Sequence, residues 1–128
     1  MIKVVIDPGH GGPRKPPVVG GSSWNNATGP TGLLEKTVTL QVAKAAAAAF
    51  AQTGIEVLLT RSRDTNLGIA QRAAVAKNAR AEVFVSIHFN AAPATGAPAQ
   101  GTETWIGNAP TDASRRLASS PWKTQFLF

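Results

Sequence analysis

Residues 1–12 read MIKVVIDPGHGG. Val4, Val5 and Ile6 form a short apolar run without alternation, the pattern of a strand covered on both faces in the middle of a sheet. Asp7, Pro8 and Gly9 stop that run, which sets His10 just beyond the strand's carboxyl end. Open α/β sheets place their ligands along that edge. The opening residues therefore predict a buried central strand with a histidine at the functional rim.

Outward from this strand, the chain alternates. The stretch GGPRKPPVVGGSSWNNATGPTG (11–32) is rich in Gly, Pro, Ser and Asn and reads as a loop, long enough to be functional or mobile. LLEKTVTLQVAKAAAAAFAQTG (33–54) has helical spacing: Thr37, Gln41, Lys44 and Gln52 form a polar stripe. Val38, Val42, Ala45, Ala46, Ala49 and Phe50 are expected to pack inward, with Gly54 as the C-terminal stop. IEVLLTR (55–61) reads as a second strand, LGIAQRAAVAKNARA (67–81) as a helix capped by Thr65 or Asn66, and EVFVSIHFNA (82–91) as a third strand. In that third strand Val83, Phe84, Val85 and Ile87 supply the apolar run, which again ends in a histidine. After a connection at 92–101, TETWIG (102–107) reads as a short fourth strand and DASRRLAS (112–119) as a third helix. The fold class expected is α/β: three layers, a mostly parallel mixed sheet flanked by helices, cut short at the C-terminus. The 128 residues suffice for a single domain.

Composition narrows the function classes. No cysteine is present, which excludes disulfides, thiolate metal sites and cysteine nucleophiles. No apolar run approaches the roughly 20 residues needed to cross a bilayer. The formal net charge of +6 favours an anionic partner. Its basic residues are scattered in pairs, Arg14 with Lys15, Arg61 with Arg63, Arg115 with Arg116, outside any nucleic-acid motif. That scatter reads as a solvated basic surface, with no specific nucleic-acid recognition. No signal peptide is visible at the N-terminus.

His10 and His88 are the chain's two histidines, and each follows a strand at its carboxyl end. In a parallel sheet those ends share one edge, so the imidazoles can converge. Glu35 falls in the first turn of the first long helix, where the helix dipole favours a carboxylate. Two imidazoles and one carboxylate are the ligand set of many catalytic zinc sites. The alternative is a pair of hydrogen-bonded structural histidines, with Glu35 and Lys36 as ordinary helix-start charges. Trp24, in the long loop, either stacks on sugar rings or plugs an apolar edge. Arg72 reads as structural, paired with backbone or with an acidic partner.

VVIDPGHGG (4–12), GLLEK (32–36), VLLTR (57–61), VFVSIHFNA (83–91) and GTETW (101–105) together resemble the zinc-dependent N-acetylmuramoyl-L-alanine amidases, the cell-wall hydrolases of bacterial autolysins and phage endolysins. The resemblance covers residues 2–118. It implies one zinc ion held by His10, Glu35 and His88, with Asp7 and Asn90 shaping the site beside them. It further implies peptidoglycan as substrate, with zinc-assisted hydrolysis of the amide between N-acetylmuramoyl and L-alanine. The implied location is the periplasm, the cell wall or exterior, or phage-encoded release at lysis.

The last residues depart from that family: residues 119–128 form an atypical tail in which Pro121 breaks the helix pattern. The family's general acid/base, a glutamate on a strand near the C-terminus, has no counterpart here. Glu103 is the remaining strand carboxylate that could face the site as acid/base, against a reading as an exposed sheet residue. The apolar tail residues Trp122, Phe126, Leu127 and Phe128 are expected to dock on the sheet or to drive self-association. Three functions follow from these features: a zinc amidase, a catalytically weak or inactive cell-wall-binding module that keeps the zinc site, and a zinc peptidase or deacetylase.

Overall fold

The computed structural model describes residues 1–14, 20–90 and 101–120. It divides into two units, Met1–Ala92 and Pro93–Phe128. The first contains β1 (Lys3–Pro8), α1 (Glu35–Phe50), β2 (Glu56–Leu59), α2 (Ile69–Ala79) and β3 (Val83–Ile87). The three strands form one sheet in the order β2-β1-β3, every pair parallel. In register, Val5 lies between Leu58 and Phe84, and Asp7 lies opposite Ser86. Successive crossovers run in opposite directions along the sheet, so the right-handed rule sets α1 and α2 on opposite faces.

β1 is the core. Val5 is fully buried and Ile6 nearly so, because two strands flank them and both helices pack on β1. β3 differs from the covered strand expected at 83–87: Phe84 is 43% and Val85 39% exposed. It stands at the end of the sheet, and neither α1 nor α2 has its main packing there. The apolar run forms the expected strand, but apolarity alone does not say what lies over it.

α1 buries Glu35, Thr39 and Ala43, a row spaced by four residues. Val38, Val42, Ala46 and Phe50 are half-buried as expected, whereas Ala45 and Ala49 are exposed. The inward face is rotated because Thr39 is drawn in, its hydroxyl donating to the Gly9 carbonyl at 2.9 Å. The helix N-terminus has no side-chain cap at Leu34. The loop satisfies it instead: Glu35 N–H donates to Ala27 O at 3.0 Å and Lys36 N–H to Asn25 Oδ1 at 3.0 Å. α2 is capped by Gly68 in place of Thr65 or Asn66, and the Gly68 N–H donates to Gln71 Oε1 at 2.8 Å. Asn66 is occupied elsewhere, its amide donating to Ser22 O at 2.7 Å.

The second unit contains α3 (Asp112–Ser119), as expected, capped by Thr111 through Ser114 N–H. The fourth strand expected at 102–107 is not formed. Trp105 is 85% exposed, so no apolar burial rewards an extended pairing there. Among the described residues the sheet is therefore three-stranded and wholly parallel. The tail residues Trp122, Phe126, Leu127 and Phe128 lie outside the described residues. Among the described residues no helix is long and apolar enough to cross a membrane.

Asp7, at the end of β1, accepts from Thr60 Oγ1, Ser86 Oγ (2.7 Å) and Arg72 Nη1 (2.7 Å). Burial pushes its carboxyl up, but these three donors and the Arg72 charge outweigh burial and hold it below the usual aspartate value. Its contribution to stability is therefore complete above about pH 4, the unfolded aspartate value, and is lost as pH falls through the lower folded value. Asp7→Asn is expected to cost about 3–5 kcal/mol at pH 7, since Arg72 loses its counter-charge, and to flatten the acid limb of stability against pH. Urea denaturation at a series of pH values measures both.

Candidate metal centre

After Pro8 the chain turns sharply, with positive φ at three successive residues: His10 (60°), Gly11 (129°) and Gly12 (82°). The glycines adopt this without a side-chain penalty, whereas His10 costs about 1–3 kcal/mol and must be held there. Three of the turn's N–H groups are directed to partners: Gly9 to Ile87 O (3.0 Å), Gly11 to Trp24 O (3.0 Å) and Gly12 to Asp64 Oδ1 (2.7 Å). Its carbonyls accept from Arg61 and Arg72.

The turn delivers His10 to a shared point with Glu35 and His88. Glu35 Oε1 lies 3.2 Å from His10 Nε2 and 3.0 Å from His88 Nδ1. The same oxygen accepts from Phe89 N–H at 2.9 Å, while Oε2 accepts from Ala27 N–H at 2.9 Å. The three ligand atoms all lie within 4.8 Å of one another, and the two rings meet edge to face at 89°. Burial pushes the Glu35 carboxyl up, but the Ala27 and Phe89 amides, with His10 and His88, outweigh it and hold the carboxyl below its usual range. Side-chain exposure is 1% for Glu35, 9% for His10 and 49% for His88, so the cluster is closed behind and open at His88.

The hydrogen bonding shows what this cluster suits. Ser23 O at 3.0 Å and Ser23 Oγ at 2.9 Å both face His10 Nδ1, and a proton on Nδ1 donated to Ser23 O leaves a lone pair on Nε2. That lone pair faces a carboxylate oxygen at 3.2 Å. In this tautomer two acceptors face each other, an arrangement that suits a cation between them, either a further proton or a metal ion. Ligand atoms of a tetrahedral ion with bonds of about 2.0–2.1 Å sit about 3.3 Å apart, close to the 3.2 Å and 3.0 Å that separate Glu35 Oε1 from the two imidazole nitrogens. Gly9 completes the fit, since a Cβ there would lie 2.4 Å from His88 Cε1. The ring lies directly on the glycine backbone.

The remaining expected site residues fall in different places. Asp7 is behind the donors, bound to Arg72, which in turn donates to His10 O at 3.0 Å. Arg72 is thus paired with both backbone and an acid. Asn90 is exposed, two positions beyond His88. Trp24 is half-buried and built into the wall, with Lys36 Nζ 5.3 Å from its ring centroid. Lys36 also bonds Gly12 O at 2.8 Å and Asp64 at 2.6 Å. Glu103 belongs to the second unit, is exposed, and accepts from Trp105 Nε1 at 3.0 Å.

Arg61, read as part of a solvated basic pair, is instead 4% exposed and donates to Pro8 O, Gly9 O and Lys36 O. Its place just past a strand, in VLLTR, is the signal it shares with His10 and His88. Ser23 and Thr39 were also missed, since a serine and a threonine in such settings carry no pattern. A cleft of about 540 Å³ between α2 and β3, lined by Ile69, Arg72, Ala73, Phe84 and Ser86, runs to His10 and His88.

Fold and cluster together define a class: an α/β protein with a His-Glu-His donor set at the carboxyl rim of a parallel sheet. Residues 4–124 match the N-acetylmuramoyl-L-alanine amidase family, and the chain belongs to that family. It is 40% identical over 98 residues to the sporulation-specific N-acetylmuramoyl-L-alanine amidase of Bacillus subtilis (strain 168), covering 75% of this chain and 34% of that protein. The N-acetylmuramoyl-L-alanine amidase AmiC of Neisseria meningitidis serogroup B is 35% identical over 105 residues, covering 82% of this chain and 22% of that one. Among solved structures, an N-acetylmuramoyl-L-alanine amidase from Clostridium difficile 630 superposes with a TM-score of 0.76 at 38% identity, over 91% of this chain and 58% of that one. The catalytic domain of CwlV from Bacillus (Paenibacillus) polymyxa var. colistinus gives 0.60 at 40% identity, over 72% and 47%. The chain thus spans about a third or less of these two curated relatives and about half of these two solved chains.

The contact between Gly9 and His88 yields a direct test. Gly9→Ala is expected to leave the fold intact by circular dichroism while pushing the imidazole aside, with Zn²⁺ affinity ~10- to 100-fold weaker by calorimetry.

Proposed function

We propose that the chain is the zinc-dependent hydrolytic part of a peptidoglycan amidase, cutting the amide between N-acetylmuramoyl and L-alanine. His10, Glu35 and His88 would hold one zinc ion. The observation that carries this reading is the convergence of both imidazoles on one buried carboxylate oxygen, with Glu35 Oε1 3.2 Å from His10 Nε2 and 3.0 Å from His88 Nδ1. Bound zinc supplies an acidified water and a polarised carbonyl. The chain's own residues do the rest. Glu35 stays ionised because backbone N–H groups of Ala27 and Phe89 fix both its oxygens. Ser23 holds His10 Nδ1, Asp7 acts through Arg72, Asn90 shapes the site beside the donors, and Trp24 serves as the substrate-side group. Family membership supports the peptidoglycan substrate, and the +6 net charge suits an anionic wall in the periplasm, at the cell surface or at phage release.

The departing amine must take up a proton, and Glu103, exposed and outside any strand, is the candidate carboxylate for that step, against a reading as an ordinary surface residue. A second reading is favoured by the donor cluster itself, which among the described residues of the first unit contains one carboxylate only. It is a cell-wall-binding module that keeps the metal site with little turnover.

Incubation of the zinc-loaded protein with purified peptidoglycan is expected to release new L-alanine amino termini, detected by end-group labelling, and to stop on chelation. Retained sedimentation on cell walls without new termini selects the binding module. Cleavage of a different bond, found by mass spectrometry of the products, selects a peptidase or deacetylase. His10→Ala and His88→Ala are each expected to abolish stoichiometric zinc in metal analysis. Glu103→Gln is expected to slow turnover by about 10²- to 10⁴-fold with zinc content unchanged; an unaltered rate removes Glu103 from the reaction.

A further inference from the structure

We propose that Arg61 and Arg72 are positioning residues that clamp three successive carbonyls of the turn at 8–10 and hold it ready before any ion binds. The proposal rests on reading His10, Glu35 and His88 as a metal centre. Arg61 donates through Nε to Pro8 O at 2.9 Å and through Nη2 to Gly9 O at 2.9 Å. Arg72 donates through Nη1 to Pro8 O at 2.8 Å and through Nη2 to His10 O at 3.0 Å. Pro8 O therefore receives both guanidiniums, and no carbonyl of the turn is left to be satisfied by water.

The two side chains are anchored independently. Arg61 is tied to α1 through Lys36 O (2.9 Å) and Thr39 Oγ1 (3.1 Å). Arg72 is tied to Asp7 (2.7 Å) and Leu67 O (3.1 Å). Both are nearly fully buried, at 4% and 5% exposure. Each helix thus reaches the turn through one fork, from opposite faces of the sheet.

Electrostatics argues that their task is geometric. Two buried cations beneath a cation site oppose its filling, and Asp7 neutralises only one of them. What they supply is direction. With the carbonyls of Pro8, Gly9 and His10 drawn inward, the backbone is fixed where His10 holds its unfavourable positive φ and the ring projects to Glu35. A guanidinium spans two carbonyls with a rigid fork, which a lysine ammonium does not. The charge-conserving variant therefore separates geometry from charge.

Wild type, Arg61→Lys, Arg61→Met and Arg72→Lys are titrated with Zn²⁺ alone by calorimetry, and each is melted metal-free. Both lysine variants are expected to remain folded and to bind Zn²⁺ ~10- to 100-fold more weakly, with Arg61→Met no weaker than Arg61→Lys. Lysine variants with wild-type affinity overturn the clamp, even where their melting temperature falls, because that pattern is a purely structural role. A wild type that takes up no Zn²⁺ refutes the metal reading itself, whatever the variants do. Should the variants fail to fold, wild type decides by hydrogen exchange at the Gly9 and Gly11 amides. Slow exchange already in the metal-free protein is expected, and protection that arises only with Zn²⁺ overturns the proposal.

Discussion

A single carboxylate oxygen, Glu35 Oε1, has three nitrogens within 3.2 Å: two imidazole nitrogens and the Phe89 amide. Much of the first unit is arranged to keep that oxygen ionised and in place. It sits in the first turn of α1, where the helix N-terminus favours negative charge. Its companion oxygen is bonded to Ala27 N–H, so the side chain has no freedom to turn away. The parallel sheet supplies the other half of the arrangement, since the carboxyl ends of β1 and β3 are adjacent by strand order and bring His10 and His88 to one rim.

The long loop earns its length through the same site. Residues 22–28 cap α1 through Asn25 and Ala27, orient His10 through Ser23, and close on the turn through Trp24 O and Gly11 N–H. Lys36 then ties the helix to the turn and to Asp64. Loop, helix and turn are held by hydrogen bonds to backbone groups more than by apolar contact, consistent with a core in which few hydrophobic side chains are fully buried.

What was legible in the sequence follows a physical division. The apolar runs at 4–6, 57–59 and 83–87 marked strands, because periodicity and β-branched content report local geometry. His10 and His88 were legible because topology places parallel strand ends together, and Glu35 because the helix pattern set it in the first turn of α1. Exposure was not: Phe84 and Ala49 carry the same letters whether covered or bare, and the pairing that TETWIG would have needed is a property of distant chain. Arg61 was misread for a related reason. A guanidinium's burial depends on carbonyls fifty residues away, and those have no side-chain signature. The cap of α2 was missed because Asn66, the better capping residue, is engaged by Ser22.

Asp7 pairs with Arg72 and Asp64 with Lys36, and Glu35 and Arg61 offset one another in the formal count, so the three anions and three cations of this network cancel. The whole formal excess of six positive charges is then carried by residues outside the network. Attraction to an anionic polymer and the chemistry at the rim thus draw on separate sets of charges. Raising ionic strength weakens the former, which is screened over roughly 10 Å at 0.1 M, and leaves the latter largely untouched. Affinity for an anionic surface would in this sense be adjustable, free to vary without retuning the centre.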